Sequence, residues 1–320
     1  MFDINYLYIF ILLIVSGFLY RRFMDKYNEH DELRQYKLIK KYLLNDSAIA
    51  KSKKPIIWVH IPYELNARSW DSFYSRTNTN LNQPYQYLCI KSIVNKCGKS
   101  FNMCLIDDNS FNVLIPGWTT ELSHVGSPLK EKLRYLAMVN LNYHYGGIMV
   151  PSSFLCLKNL NSLWDNGTQD ESPFICENKS NSKDIDFLPD PSFIGAPKNN
   201  EIIDNYRKFL ERNVSRDYTA ESVFLDETNK WCYQSVCKNE MKLISGEMVG
   251  TKTNSEKLVR IQDLLGREYI DFNEKMYGIN IPSKELLDRT AYNWFCYLKE
   301  CELFSSDMII SKYFILSNAN

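Results

Sequence analysis

The chain has 320 residues, 45% of them hydrophobic and 14% aromatic, enough to bury a substantial core and too apolar for a disordered or fibrous protein. Lys plus Arg and Asp plus Glu both number 38, so the formal net charge is zero and the basic excess of a general nucleic-acid binder is absent. Nine cysteines are scattered without a CxxC pair, which argues against a paired-cysteine zinc site and for a reducing compartment, with most thiols serving as small buried hydrophobes.

Residues 6–20 (YLYIFILLIVSGFLY) carry no charge and run directly into Arg21-Arg22. The run is short of the roughly 20 residues that span a bilayer. Its terminal tyrosines and the snorkelling arginines extend it to both interfaces. The residues before it hold Asp3 and neither Lys nor Arg, unlike a cleaved signal peptide. An uncleaved, single-pass transmembrane anchor is therefore predicted over 1–24. After it come Arg21, Arg22, Lys26, Arg34, Lys37, Lys40 and Lys41, which by the positive-inside rule place the body on the cytosolic side. The sequons at Asn45, Asn166, Asn178 and Asn213 would be used only on the opposite side. Residues 25–54 are predicted as a helical stem, with Leu33, Tyr36, Ile39 and Leu43 at helical spacing.

From Pro55 the pattern becomes globular. Pro55–His60 (PIIWVH) predicts a buried strand, Gln86–Lys96 a helix, and Phe101–Ile106 a second strand ending at the polar cluster Asp107-Asp108-Asn109. Pro128–Tyr145 predicts a long helix and Ile148–Val150 a short strand after a Gly-Gly turn. This alternation is that of an α/β sandwich with a largely parallel sheet, in which ligands sit at the carboxyl ends of the strands. Those ends are His60–Pro62, Asp107-Asp108 and Pro151–Ser153. Residues 55–250 are taken as this domain, and 251–320 as a helical extension packed on it. The extension holds helical stretches at Glu256–Leu265 and Ser283–Leu303 and the aromatics Tyr292, Trp294, Phe295 and Tyr297. They serve either as a core helix closing the sheet or as a protein-docking surface.

Over roughly residues 55–215 the order of these pieces resembles the capsular polysaccharide synthesis proteins, a branch of the sugar-binding-region glycosyltransferases with the GT-A fold. Lys54-Pro-Ile-Ile-Trp58 matches their opening strand, Cys89-Ile-Lys-Ser-Ile93 their first helix, and Leu105-Ile-Asp-Asp-Asn109 their second strand. The helix from Arg134 through Tyr145-Gly146-Gly147-Ile148-Met149-Val150 matches their hallmark, and Pro191–Ala196 with the helix Glu201–Arg212 a later strand and helix. The resemblance implies a GT-A-like (Rossmann-like) mixed sheet flanked by helices. It also implies a nucleotide-sugar donor held near His60, Asp107, Asp108, Arg134, Gly146, Gly147, Ser152 and Ser153. For several of these a blander role stays open: turn capping for Asp107 and Asp108, a structural contact for His60, an ion pair for Arg134.

Family members place carboxylates just after the Gly-Gly strand to hold the Mg²⁺ or Mn²⁺ that neutralises the leaving diphosphate. Here those positions are Pro151, Ser152 and Ser153, and none of the four histidines lies in the second half of the chain. No metal site and no cofactor are therefore expected. The expectation is a membrane-anchored, catalytically degenerate transferase body serving as a scaffold for protein partners. AT-rich coding bias and cytosolic topology suit a minor component of a large DNA virus particle, at its internal membrane beneath the capsid. The alternative is an active transferase acting on a glycan or capsular-type polysaccharide. It would use Arg134, Lys130 or Lys158 in place of the cation, or a relocated carboxylate with possible Mn²⁺ or Mg²⁺. Asp184, Asp186, Asp190, Asp226 and Glu227, read as surface acids, are its candidates for a base.

Overall fold

The computed structural model describes residues 54–62, 83–178, 186–216 and 221–318. The expected anchor and the stem up to residue 53 lie outside the described residues. Among the described residues no helix is long and apolar enough to cross a membrane.

Strand β1 (Ile56–His60) is formed by β-branched residues and a tryptophan and is buried along nearly its whole length, as an interior strand requires. Helix α1 (Tyr85–Cys97) follows, then β2 (Asn102–Ile106), parallel to β1 with Trp58 opposite Cys104. A short helix α2 (Ser110–Leu114) leads to α3 (Leu129–Tyr145) and to β3 (Gly147–Met149), which lies parallel to β1 on its other side. The remaining elements of this half are β4 (Phe154–Cys156), α4 (Asn161–Gly167), β5 (Phe174–Asn178) and β6 (Leu188–Ala196). Then come α5 (Glu201–Val214), α6 (Glu221–Cys237) and β7 (Lys242–Ile244). Asn200 starts α5 by accepting the Ile202 and Ile203 N–H groups at 3.0 and 3.2 Å.

The main sheet runs β2-β1-β3-β6-β5-β7. Strand β6 is antiparallel to both β3 and β5, while β7 is parallel to β5. The sheet is thus mixed, with its parallel half at β2-β1-β3. An apolar cluster beside it joins Leu136 and Val139 of α3 to Ile194 of β6, Tyr206 and Leu210 of α5 and Phe224 of α6.

The Gly-Gly turn is a structural device. Gly146 ends α3 at φ +70°, its N–H bonded to Asn142 O at 2.8 Å, and Gly147 starts β3 at φ +105°. A Cβ on Gly147 would stand 2.3 Å from the carbonyl oxygen of Ile56 in β1. Trp58 Nε1 donates to Gly146 O, and Asn142 Nδ2 to Gly147 O, both at 2.8 Å.

The C-terminal region differs from the expected helical cap. It contains α7 (Ile261–Leu265), β8 (Gly278–Asn280), α8 (Ser283–Asp288), α9 (Glu300–Ser305) and α10 (Ile309–Asn318). The single helix expected over Ser283–Leu303 is broken, because Asp288, Thr290, Tyr292 and Asn293 are weak helix formers and the chain turns there to bury Phe295. Strand β8 pairs antiparallel with β4, matching Phe154 to Asn280 and Cys156 to Gly278. One apolar cluster joins Tyr85, Leu88 and Cys89 of α1, Leu155 of β4, and Leu264, Leu286, Phe295, Ile310 and Phe314. Residues 251–318 therefore share a core with the α/β body.

Candidate functional site

The carboxyl ends of β1 and β3 open into a cleft of about 710 Å³. Its walls include His60 and Pro62 at the end of β1, Glu131, Arg134 and Tyr135 on α3, Pro151–Ser153 after β3, and the segment 280–285 with Asp288. Because β6 runs antiparallel to β3, Asp190 to Ser192 in its first half reach the same end.

Two of the expected site residues, His60 and Arg134, meet across Asp108. Arg134 donates through Nε to Asp108 Oδ1 at 2.9 Å and through Nη2 to Oδ2 at 2.6 Å, while Nη1 donates to Glu131 Oε1 at 2.8 Å. His60 Nε2 lies 2.9 Å from Asp108 Oδ1, and its ring stacks on Phe111 at 5.3 Å. Burial alone would raise the Asp108 carboxyl. The hydrogen bonds from His60 and Arg134, with the guanidinium charge, overcome that and hold it well below the usual carboxylate range. Asp108 is thereby spent on organising the wall. Asp107 caps the next turn, accepting Ser110 N–H at 2.9 Å and Ser110 Oγ–H at 2.6 Å.

Gly146 and Gly147 lie at the amino end of β3, away from the cleft, packed against the backbones of Lys198 and Ile56. Ser152 and Ser153 do line it, and Ser152 Oγ donates to Gln86 Oε1 at 3.1 Å. Of the proposed cation substitutes only Arg134 lines the cleft; Lys158 Nζ is turned to Glu274 O, and Lys130 is not part of the lining. The sequon at Asn213 is buried in α5, and Asn178 lines the cleft.

The residue underestimated from sequence is Asp190. It is not a surface acid: it is 4% exposed and lines the cleft. Its Oδ1 accepts Ser192 N–H at 3.0 Å and Ser192 Oγ–H at 2.5 Å, and its Oδ2 accepts Asn280 Nδ2–H at 2.8 Å. Burial raises its carboxyl despite these bonds. Asn280 is held in turn by its own N–H on Val249 O at 2.8 Å. The loop carrying Val249 is fixed by the buried Glu177, which accepts Gly246 N–H at 2.7 Å and pairs with Lys252 at 2.5 Å. Asn280, Lys284, Glu285 and Asp288 also escaped the sequence reading. The only signal was the Gly-Ile-Asn-Ile-Pro run at 278–282, which has the alternation of a short strand.

The residues directly after β3 offer a divalent cation no carboxylate. Pro151 offers no side-chain ligand, and Ser152 and Ser153 offer neutral oxygens where a hard cation needs carboxylates. Among the described residues no three His, Cys, Asp or Glu side chains come together as a metal-holding group. Beside the cleft's other polar side chains, the Arg134 guanidinium is already bidentate to the Asp108 carboxylate.

No protein-family model matches the chain, and no curated protein matches it. Among solved structures that match is one named PaToxG Glycosyltransferase, 14% identical, covering 64% of this chain and 81% of that chain with a TM-score of 0.35. The chain itself is a mixed α/β protein whose cleft sits at the carboxyl ends of the parallel strands β1 and β3.

Proposed function

We propose that the chain is a glycosyltransferase-like carbohydrate-binding protein whose cleft takes a neutral sugar through its hydroxyls and has lost metal-dependent transfer. The observation that carries this reading is the pairing of Asp190 with Asn280. A buried carboxyl and an amide side by side offer the acceptor and donor set that recognises vicinal hydroxyls. Two features support it. Arg134 is committed to Asp108 and Glu131, so its charge is largely neutralised before any diphosphate arrives. The cleft side chains include the acids Glu131, Asp190, Glu285 and Asp288 against the cations Arg134 and Lys284, no excess of positive charge. The motif residues from Lys54 to Gly147 support the glycosyltransferase-like part, and the capsular polysaccharide branch rests on those residues alone. The apolar run at 6–20 and its basic flank support a membrane tether with the domain on the cytosolic side, where it acts as a scaffold for protein partners such as the capsid layer of a virus particle.

The test is a thermal-shift panel on the detergent-solubilised full chain against free mono- and oligosaccharides and against UDP-, GDP- and CMP-sugars, with and without Mn²⁺. A free saccharide at about 100 times its Kd stabilises by about 2.7 kcal/mol, a rise of several degrees in Tm. Asp190→Asn is expected to weaken that saccharide by about tenfold. Saccharides that leave Tm unmoved would sink the reading.

One observation favours a second reading. Burial raises the Asp190 carboxyl and so makes it a stronger base than a free carboxylate, which fits it for the base of an active transferase. A Tm rise with one nucleotide sugar that requires Mn²⁺, together with transfer lost in Asp190→Asn, would establish it.

A further inference from the structure

Away from the cleft, the last turn of α1 meets the end of β4. Cys97 and Cys156 lie 59 residues apart in sequence and hold their sulfurs 3.9 Å apart, both fully buried. The surrounding backbone is pinned on both sides. Cys156 N–H donates to Ser92 Oγ of α1 at 2.9 Å, and Asn159 Nδ2 donates to Lys96 O at 2.9 Å and Ser100 Oγ at 2.8 Å. The two thiols are therefore held together by the packing of a helix on a strand. A disulfide needs the sulfurs to close from 3.9 Å to about 2.05 Å.

We propose that Cys97 and Cys156 are a dithiol modification site that forms an intramolecular disulfide on exposure to a low-molecular-weight disulfide, stapling α1 to β4. Both sulfurs are buried, so the reaction proceeds through local opening at the helix end, where Gly98 and Lys99, the next two residues after Cys97, are exposed. The hydrogen bond from Cys156 lowers the Cys97 thiol, while burial pushes the Cys156 thiol up, so Cys97 is the attacking sulfur and Cys156 the resolving one. In the first step the Cys97 thiolate attacks one sulfur of the small disulfide and releases one thiolate. In the second, Cys156 loses its proton and attacks the Cys97 sulfur, releasing the other thiol. Two protein thiols are oxidised by two electrons, and the small disulfide is reduced to two thiols. The staple bears on the cleft, because Cys156 lies three residues beyond Ser153 and Ser152 is hydrogen-bonded to Gln86 on α1.

The exposed Cys237 and Cys301 supply the internal control. On the purified full chain they are first blocked with iodoacetamide under native conditions. Oxidised glutathione is then added, and the chain is acid-quenched, unfolded in N-ethylmaleimide and digested without reduction. The expected product is a Cys97–Cys156 cross-linked peptide pair lacking two hydrogens, with Cys89, Cys104, Cys176, Cys232 and Cys296 carrying maleimide. Cys97→Ser and Cys156→Ser each abolish that pair; the wild-type peptide map decides the matter if either variant fails to fold. Maleimide on both Cys97 and Cys156 after oxidation, glutathione left on Cys97 without a cross-link, or a cross-link between other cysteines would each overturn the proposal.

Discussion

Gly147→Ala is expected to lower stability by about 4 kcal/mol or more, from two independent sources. The first is backbone strain: φ +105° lies where an L side chain is disfavoured, and holding alanine there costs about 1–3 kcal/mol. The second is overlap. The new Cβ would stand 2.3 Å from Ile56 O and 3.0 Å from Ile56 C, which are backbone atoms of a buried, doubly paired strand. They can give way only if β1 and β3 separate, which breaks the parallel half of the sheet at its centre. Against a total stability of about 5–15 kcal/mol, the variant is expected to unfold at markedly lower denaturant or to accumulate insolubly. Urea unfolding followed by tryptophan fluorescence measures this, because Trp58 is fully buried in β1. Gly117→Ala is the control, since it also has positive φ but open space around its Cβ, and it is expected to show only the strain. Equal losses in the two variants would refute the overlap.

Arg134→Met is expected to cost about 3 kcal/mol while keeping most of the apolar stem of the side chain. The guanidinium is 7% exposed and serves two carboxylates, Asp108 at 20% exposure and Glu131 at 35%. Its removal leaves Asp108 with the His60 contact as its remaining side-chain partner here, and partial exposure of both acids keeps the loss at the lower end of the range for breaking a buried pair. The double variant Asp108→Asn with Arg134→Met is expected to recover more than 1 kcal/mol relative to the sum of the singles, because neither member is then left charged without its partner. The pH dependence has a definite sign. Asp108 titrates below its unfolded value, so its contribution is fully present above about pH 4 and is lost as pH falls through the folded pKa. Wild type should therefore lose stability on acidification below pH 4, and Arg134→Met should lose less over the same interval. Parallel acid profiles for the two proteins would show that the Asp108 carboxyl is not held by Arg134.

Much of the α/β body was legible because its signals are local. The β-branched run Ile-Ile-Trp-Val after Pro55 reads as a strand buried on both faces. The apolar spacing through Tyr85–Cys97 and Leu129–Tyr145 is helical, and two glycines after Tyr145 mark the stop of a helix. Asp107 was recognisable as a turn cap, being followed by Asn109 and Ser110. The antiparallel β6 and the β4–β8 pair were not legible. Strands β4 and β8, three residues each, carry no periodicity of their own, and β8 finds its partner more than 120 residues away; for the nine-residue β6, expected as a strand over Pro191–Ala196, it is the antiparallel direction that its own pattern does not carry.

The composition, the want of carboxylates at Pro151, Ser152 and Ser153, and the ends of β1 and β3 were determined by the sequence alone, because each depends on residue identity or on neighbours within one turn or strand. Tertiary structure alone decided that Asp190 is a buried cleft carboxyl rather than a surface acid, that Arg134 is bound to Asp108, and that Asn280 completes the site from the C-terminal region. Burial and hydrogen-bond partnership are properties of chain segments brought together from 26 and 90 residues apart. No local pattern encodes them, and they set the direction in which the Asp108 and Asp190 carboxyls are shifted.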